Sequence, residues 1–323
     1  MNARPSLVAL LAATVAAPAL AEEVNVYSLR QPELVQPLFD RFTEETGIDV
    51  NVAFVEKGMV ERLVSEGDRS PADLVMTVDI ARLAQVVDAG VTQPVDSETL
   101  KANIPAEFRD PGNQWFGLTT RARIVYASKE RVKDGEVTTY EDLADPKWKG
   151  RVCTRSGTHD YNLGLTAAMI GHHGADQTRI WLEGLKANLA KKPQGGDRDQ
   201  VKSIWAGECD IALGNSYYMG AMLADPEQKA WADSVRIVFP TFEGGGTHMN
   251  VSGVAMTKSA PNKDAALKLM EFLSSDEAQR IYAEANTEFP VKPGVERSDL
   301  VKSWGEFTPD AVSLMDVAKA RPE

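Results

Sequence analysis

The chain has 323 residues, with 47 Asp or Glu against 35 Lys or Arg and a net charge of -12. That acidic balance excludes a nucleic-acid-binding surface, which needs excess Lys and Arg. A chain of this length also exceeds what one hydrophobic core usually organises, so two lobes are expected.

The first 21 residues read as a secretory signal peptide. Arg4 gives a basic start, Leu7 to Ala17 is a short alanine-rich apolar run, and Pro18-Ala19-Leu20-Ala21 ends in small residues suited to cleavage after Ala19 or Ala21. The run is too short to anchor in a bilayer, and no later stretch is apolar for long enough to cross one. The mature chain is therefore expected to be exported, without membrane insertion, and one unit more acidic through loss of Arg4.

Val24 to Ser28 reads as a buried strand. Pro32-Glu33 opens a helix with Leu34, Leu38 and Phe42 on one face, ended by Gly47. Ile48, Val50, Val52 and Phe54 alternate with polar or small residues, predicting a half-buried strand. Strand, helix, strand implies a parallel pair with a crossover. The pattern repeats with a strand at 72–76, Asp79 as N-cap, a helix from Ile80 to Ala89 and Gly90 at its end.

Thr119 to Tyr126 reads as extended, and the first crossing between lobes is placed there. Thr139 to Leu143 suggests a capped turn, 145–150 a loop and 151–153 a strand. Gly244-Gly245-Gly246 marks a loop, Val251 to Met256 a returning strand, and Pro261 to Ala285 a long amphipathic helix. The expected organisation is signal peptide 1–21, first lobe 22–118, second lobe 119–241, a return to the first lobe at 242–289, and C-terminal helices over 290–323.

Two segments of the second lobe echo each other, because Cys153 and Cys209 each precede a tyrosine, Tyr161 and Tyr217, by the same interval. Each reads as strand, polar turn and helix start. Cys153 and Cys209 are the only cysteines. In an oxidising compartment they suggest a disulfide, with two buried free thiols as the alternative. Bonded, they would bring Tyr161 to face Tyr217 and Tyr218 across a cleft at the carboxyl ends of strands. The adjacent phenols of Gly214-Asn215-Ser216-Tyr217-Tyr218 read either as an aromatic pair packed at a helix start or as a metal site.

At these positions the sequence resembles the periplasmic ferric-ion-binding proteins. The likeness rests on Val26-Tyr27-Ser28-Leu29-Arg30-Gln31-Pro32, on Ala72-Asp73-Leu74 leading to Thr77-Val78-Asp79, on Arg121-Ala122-Arg123, on Ser156-Gly157-Thr158-His159-Asp160-Tyr161-Asn162, and above all on Asn215-Ser216-Tyr217-Tyr218. It implies an α/β, two-lobed type II periplasmic-binding clamshell, with hinge strands and mixed sheets flanked by helices. It further implies a monomer that carries ferric iron to an inner-membrane ABC permease. The paired tyrosines and Tyr161 would be the iron ligands. Other members add a histidine at the Gln31 position, a tyrosine at the Pro32 position or a glutamate a little later. Here three phenolates and an exogenous oxyanion such as carbonate would complete the sphere.

The chemistry is consistent with that set. Ferric ion is hard, and anionic oxygen suits it better than thiolate or thioether. Holding one phenol ionised at pH 7 costs about 4 kcal/mol, more than a helix dipole supplies, so the metal itself must drive ionisation. The candidate anion cradle is Arg30, Gln31, Arg121 and Arg123, a guanidinium fork being able to grip a planar oxyanion with two bonds. Tyr27 reads as core, His172-His173 as surface after a helix, and His159 and His248 as hydrogen-bond partners. The alternative function is binding of a small organic solute on the same scaffold. No nucleophile elbow, phosphate loop or zinc-ligand spacing points to an enzyme.

Overall fold

The computed structural model describes residues 22–55 and 57–320; the expected signal peptide, residues 1–21, lies outside the described residues. The chain opens with β1 (Glu23–Ser28), α1 (Pro32–Thr46) and β2 (Asp49–Phe54). Pro32 fits the first helical turn, where its missing N–H leaves no bond unmade, and Gly47 ends the helix at φ 73° with its N–H on the Thr43 carbonyl. The first half continues through α2 (Met59–Glu66), β3 (Leu74–Thr77), α3 (Ile80–Asp88), α4 (Glu98–Asn103) and β4 (Phe116–Ser128). Asp79 caps α3 as its position suggests, its carboxylate accepting the Ala81 N–H at 2.8 Å.

Beyond β4 come β5 (Val152–Cys153), α5 (Asp160–Ala187), α6 (Asp197–Trp205), β6 (Ile211–Asn215), α7 (Tyr218–Ala224), α8 (Lys229–Asp233) and β7 (Val235–Val238). The chain then runs through β8 (Met249–Met256), α9 (Lys263–Leu273), α10 (Asp276–Ala285), β9 (Phe289–Pro290), α11 (Asp299–Lys302) and α12 (Leu314–Ala320). Among the described residues the strands follow the order β2-β1-β3-β8-β4-β6-β5, with β7 and β9 also on β4.

β4 joins the two halves of this path. Its residues from Phe116 to Ala122 pair with β8, whereas Arg123 to Ala127 pair with β6, so one fully buried strand runs through both sheets. β1 pairs parallel with β2 and β3, and β3 antiparallel with β8, giving a mixed first sheet. Val24, Val26, Phe42, Leu74 and Leu269 build the core on this side. The second sheet is sandwiched between Val125, Leu165, Trp181 and Leu213 on one face and Ile124, Tyr126, Val201 and Met222 on the other. α12 lies across the join, with Val317 in the core of the second sheet and Leu314, Met315 and Ala318 against Ile80, Leu83 and Trp115.

Cys153 and Cys209 are disulfide-bonded, with Cα atoms 6.0 Å apart and a separation of 56 positions in sequence. Closing such a loop in the unfolded chain is worth about 4 kcal/mol in the chain-entropy model. Three local readings differ from the structure. β2 is half-buried as its alternation suggests, with Val50 and Val52 packed on the core, but Phe54, read with them on the inner face, is 46% exposed at the end of this edge strand. The long amphipathic pattern from Pro261 is two helices, because Ser275 accepts the Ala278 N–H and starts α10 afresh. His172 and His173 are not a surface pair after a helix. They lie at the end of the first segment of α5, just before Gly174, where the backbone leaves the helical conformation, and both are half-buried, His172 stacking on Phe242 and pairing with Asp310.

Candidate metal site at the sheet junction

The two echoing turns lie side by side. β6 runs antiparallel to β4 with Asn215 opposite Arg123 and Gly214 opposite Ile124. Gly214 is required here because a Cβ would come within 2.3 Å of the Tyr126 ring, whose hydroxyl donates to the Asn215 carbonyl at 2.7 Å. Ser216 then fastens the turn to β4, its N–H donating to the Ala122 carbonyl at 3.0 Å. Tyr217 occupies the N-cap position of α7 and Tyr218 its first turn, so consecutive side chains leave on one side, with ring centres 4.3 Å apart.

From the other turn, Tyr161 stands in the first turn of α5, and its hydroxyl oxygen lies 3.3 Å from that of Tyr217. His159 caps this helix, Nδ1 accepting the Tyr161 N–H at 3.2 Å. Burial and the neighbouring Arg155 push the His159 pKa down to about 4, so it is a neutral acceptor at pH 7. Burial raises the phenols of Tyr217 and Tyr218 above the usual tyrosine value, and charge on Tyr161 would raise them further. Arg121 opposes this at Tyr217 without cancelling it. Without a cation between them, the paired phenols keep their protons at neutral pH. Among the described residues no cluster of three His, Cys, Asp or Glu side chains is placed to hold a metal.

The four expected anion contacts have different surroundings. Arg121 is buried and donates from Nη1 to the Ser252 hydroxyl at 2.8 Å, while its Nε and Nη2 have no hydrogen-bond partner. Arg30 is paired with Glu288, Nη2 lying 2.7 Å from Oε1, and also donates to Ser252 at 2.7 Å. Arg123 donates to Asp197 at 2.7 Å and to Asn162 at 2.7 Å, leaving only Nε unpartnered. Gln31 is exposed at the start of α1 and does not cap it. Tyr27 is core, 3% exposed with its hydroxyl on Glu66, and His248 is buried on β4's flank.

Sequence reasoning missed Ser252, Glu288, Asp197 and the pair Arg82–Asp160. Arg82, on α3 of the first half, reaches Asp160 at the start of α5 with Nη2 to Oδ2 at 2.6 Å, directly beside Tyr161. Thr287 donates to the Tyr217 carbonyl at 3.0 Å from the opposite side. These partners lie far away in sequence and follow no local spacing that could have flagged them.

Two mixed sheets sharing one buried strand, with phenols and an incompletely paired arginine at the junction, define a two-lobed solute-binding protein. The profile of the bacterial extracellular solute-binding proteins matches residues 28–280. The chain is 46% identical over 296 residues to Iron uptake protein A1 of Synechocystis, spanning 91% of this chain and 82% of that one. Its structure is similar to that of apo ferric ion-binding protein A of Pasteurella haemolytica, at TM-score 0.90 and 54% identity over 94% of this chain and 95% of that one. It is also similar to the Trichodesmium protein in complex with iron and citrate, at TM-score 0.87 and 42% identity over 93% and 96%. The chain belongs to the bacterial extracellular solute-binding family, within its periplasmic ferric-ion-binding group, and has the type II periplasmic-binding fold. Its relatives are binding and uptake proteins, and it is a binding protein, not an enzyme. No described helix is long and apolar enough to cross a membrane.

Proposed function

We propose that this protein binds ferric iron in the cleft through the phenolates of Tyr161, Tyr217 and Tyr218, with a small oxyanion completing the sphere, and hands it to an ABC permease from the periplasm. The observation that carries the reading is the contact of Tyr161 with the Tyr217-Tyr218 pair beside a buried arginine with unpartnered donors. Three phenolates neutralise a ferric ion, and an additional anion then needs a cation of its own. Arg121 supplies it, Nε and Nη2 offering two donors, while Arg30 and Arg123 already face carboxylates and act as its supports. Carbonate and citrate both fit that chemistry, and the Trichodesmium relative with iron and citrate supports an oxyanion of this class. Transfer to a permease is supported by membership of the solute-binding family.

Adding ferric citrate, or a ferric salt with bicarbonate, to the purified protein at pH 7 tests this. A phenolate-to-iron charge-transfer colour at one iron per chain is expected. Tyr217→Phe and Tyr218→Phe abolish most of it, and Tyr27→Phe leaves it intact. A colourless protein, or an organic adduct with no iron in native mass spectrometry, overturns the proposal.

A further inference from the structure

Behind the tyrosines lies a buried carboxylate that joins the two turns. Asp197, the first residue of α6, is 1% exposed. Its Oδ2 accepts from Arg123 Nη1 at 2.7 Å and from the main-chain N–H of Asn215 at 2.9 Å, two residues before Tyr217. Its Oδ1 accepts from Arg155 Nη1 at 3.3 Å. Arg123 reaches on through Nη2 to Asn162 Oδ1 at 2.7 Å, the residue after Tyr161. Asn162 donates in turn to the Thr154 hydroxyl at 3.0 Å and to the Arg155 and Ser156 carbonyls, each at 3.1 Å. The segment carrying Tyr161 and the segment carrying Tyr217 and Tyr218 thus meet at one side chain supplied by a third element.

The charges have a direction as well. The Arg155 and Arg123 guanidinium carbons lie 5.1 and 5.9 Å from the centre of the Tyr161 ring, and Asp197 faces both cations from behind. Two cations and one anion leave an excess positive charge against the ring that must carry negative charge when iron binds. A buried carboxylate with three donors is also held in one place, since moving it weakens several charge-assisted bonds at once where little water can replace them. The disulfide fixes the same two strands further back, but nothing in it aims the phenols.

We propose that Asp197 is a positioning residue for metal binding, holding Arg123, Arg155 and the Asn215 N–H so that Tyr161 meets the Tyr217-Tyr218 pair at bonding distance from one ion. The inference rests on the reading of the three tyrosines as iron ligands. Asp197→Asn keeps the shape and removes the charge, and groups that orient metal ligands in this way typically change affinity by about 10- to 100-fold.

The test uses the full mature protein loaded from ferric citrate, with absorbance per bound iron, iron affinity and melting temperature read together. The wild type must colour; if it does not, the ligand reading itself fails and Asp197 is not at issue. In Asp197→Asn, colour per iron drops by the share of one phenolate and affinity falls at least tenfold. Tyr161→Phe then adds little in the Asp197→Asn background, although it costs much in the wild type. Should Asp197→Asn fail to fold, Arg155→Gln at the less buried end of the network carries the same cycle with Tyr161→Phe. Unchanged colour per iron, or fully additive losses in the cycle, overturns the proposal; rescue by Asp197→Glu supports it.

Discussion

Tyr217 and Tyr218 are consecutive residues that end up on one side because the chain turns into α7 between them and β6. That outcome was legible in the motif Gly-Asn-Ser-Tyr-Tyr, because a turn ahead of a helix start is a local arrangement. The partners of the arginines were not. Glu288 lies 258 positions from Arg30 and Asp197 lies 74 from Arg123, and no spacing rule connects such residues. Two predictions follow from the chemistry of single residues. Arg121→Gln should lower iron affinity about tenfold or more and abolish its dependence on added bicarbonate or citrate, as titration would measure. The same variant should melt no lower, and by calorimetry higher, without ligand, because it removes a buried cation with two unpartnered donors. The second prediction concerns protons. The paired phenols hold theirs at pH 7 in the ligand-free protein, so each must release one when iron binds. Affinity should therefore weaken as pH falls, and mixing protein with a ferric salt in weak buffer should release protons from the paired phenols, as pH-stat titration would measure.

At the scale of an element, β6 and the turn beyond it are set by the close approach of Tyr126 to Gly214. Gly214→Ala would place a methyl against the ring, and we expect a loss of about 1–3 kcal/mol by chemical denaturation together with weaker colour, as the turn shifts its tyrosines. β4's flank carries a second sensitivity. His248 is buried beside Arg121, Arg123, His172 and Asp310, and burial lowers its pKa to about 4. The unfolded chain takes up a proton near the ordinary histidine value of about 6.5, whereas the folded chain refuses it until about pH 4. Stability is thus complete above that range and declines by about 3 kcal/mol as pH falls through it. His248→Gln should flatten this part of a pH–stability curve. Elements with a clean period, such as β1, α1 and β3, were legible from pattern alone. The join between α9 and α10 was missed because the apolar period passes across Ser274-Ser275 without a break, and only the capping serine interrupts it.

For the whole molecule, the two-lobed fold followed from length, from strand-helix-strand order and from the resemblance, but the contacts that span the lobes did not. Arg82 and Asp160 form such a contact beside Tyr161, both half-buried. Because exposed or half-exposed pairs are worth little, Arg82→Gln should speed iron release only about fivefold or less, with an effect that fades at high salt, by stopped-flow capture with a chelator. The strand order carries a consequence for how the chain is made. β3 and β4 do not touch directly; β8 lies between them and is synthesised long after both. The first sheet therefore cannot close until residues 249–256 have emerged, and its contacts are among the most distant in the sequence. Most of the polypeptide must exist before either lobe can finish folding, which keeps a nascent chain threadable through a narrow pore for most of its synthesis.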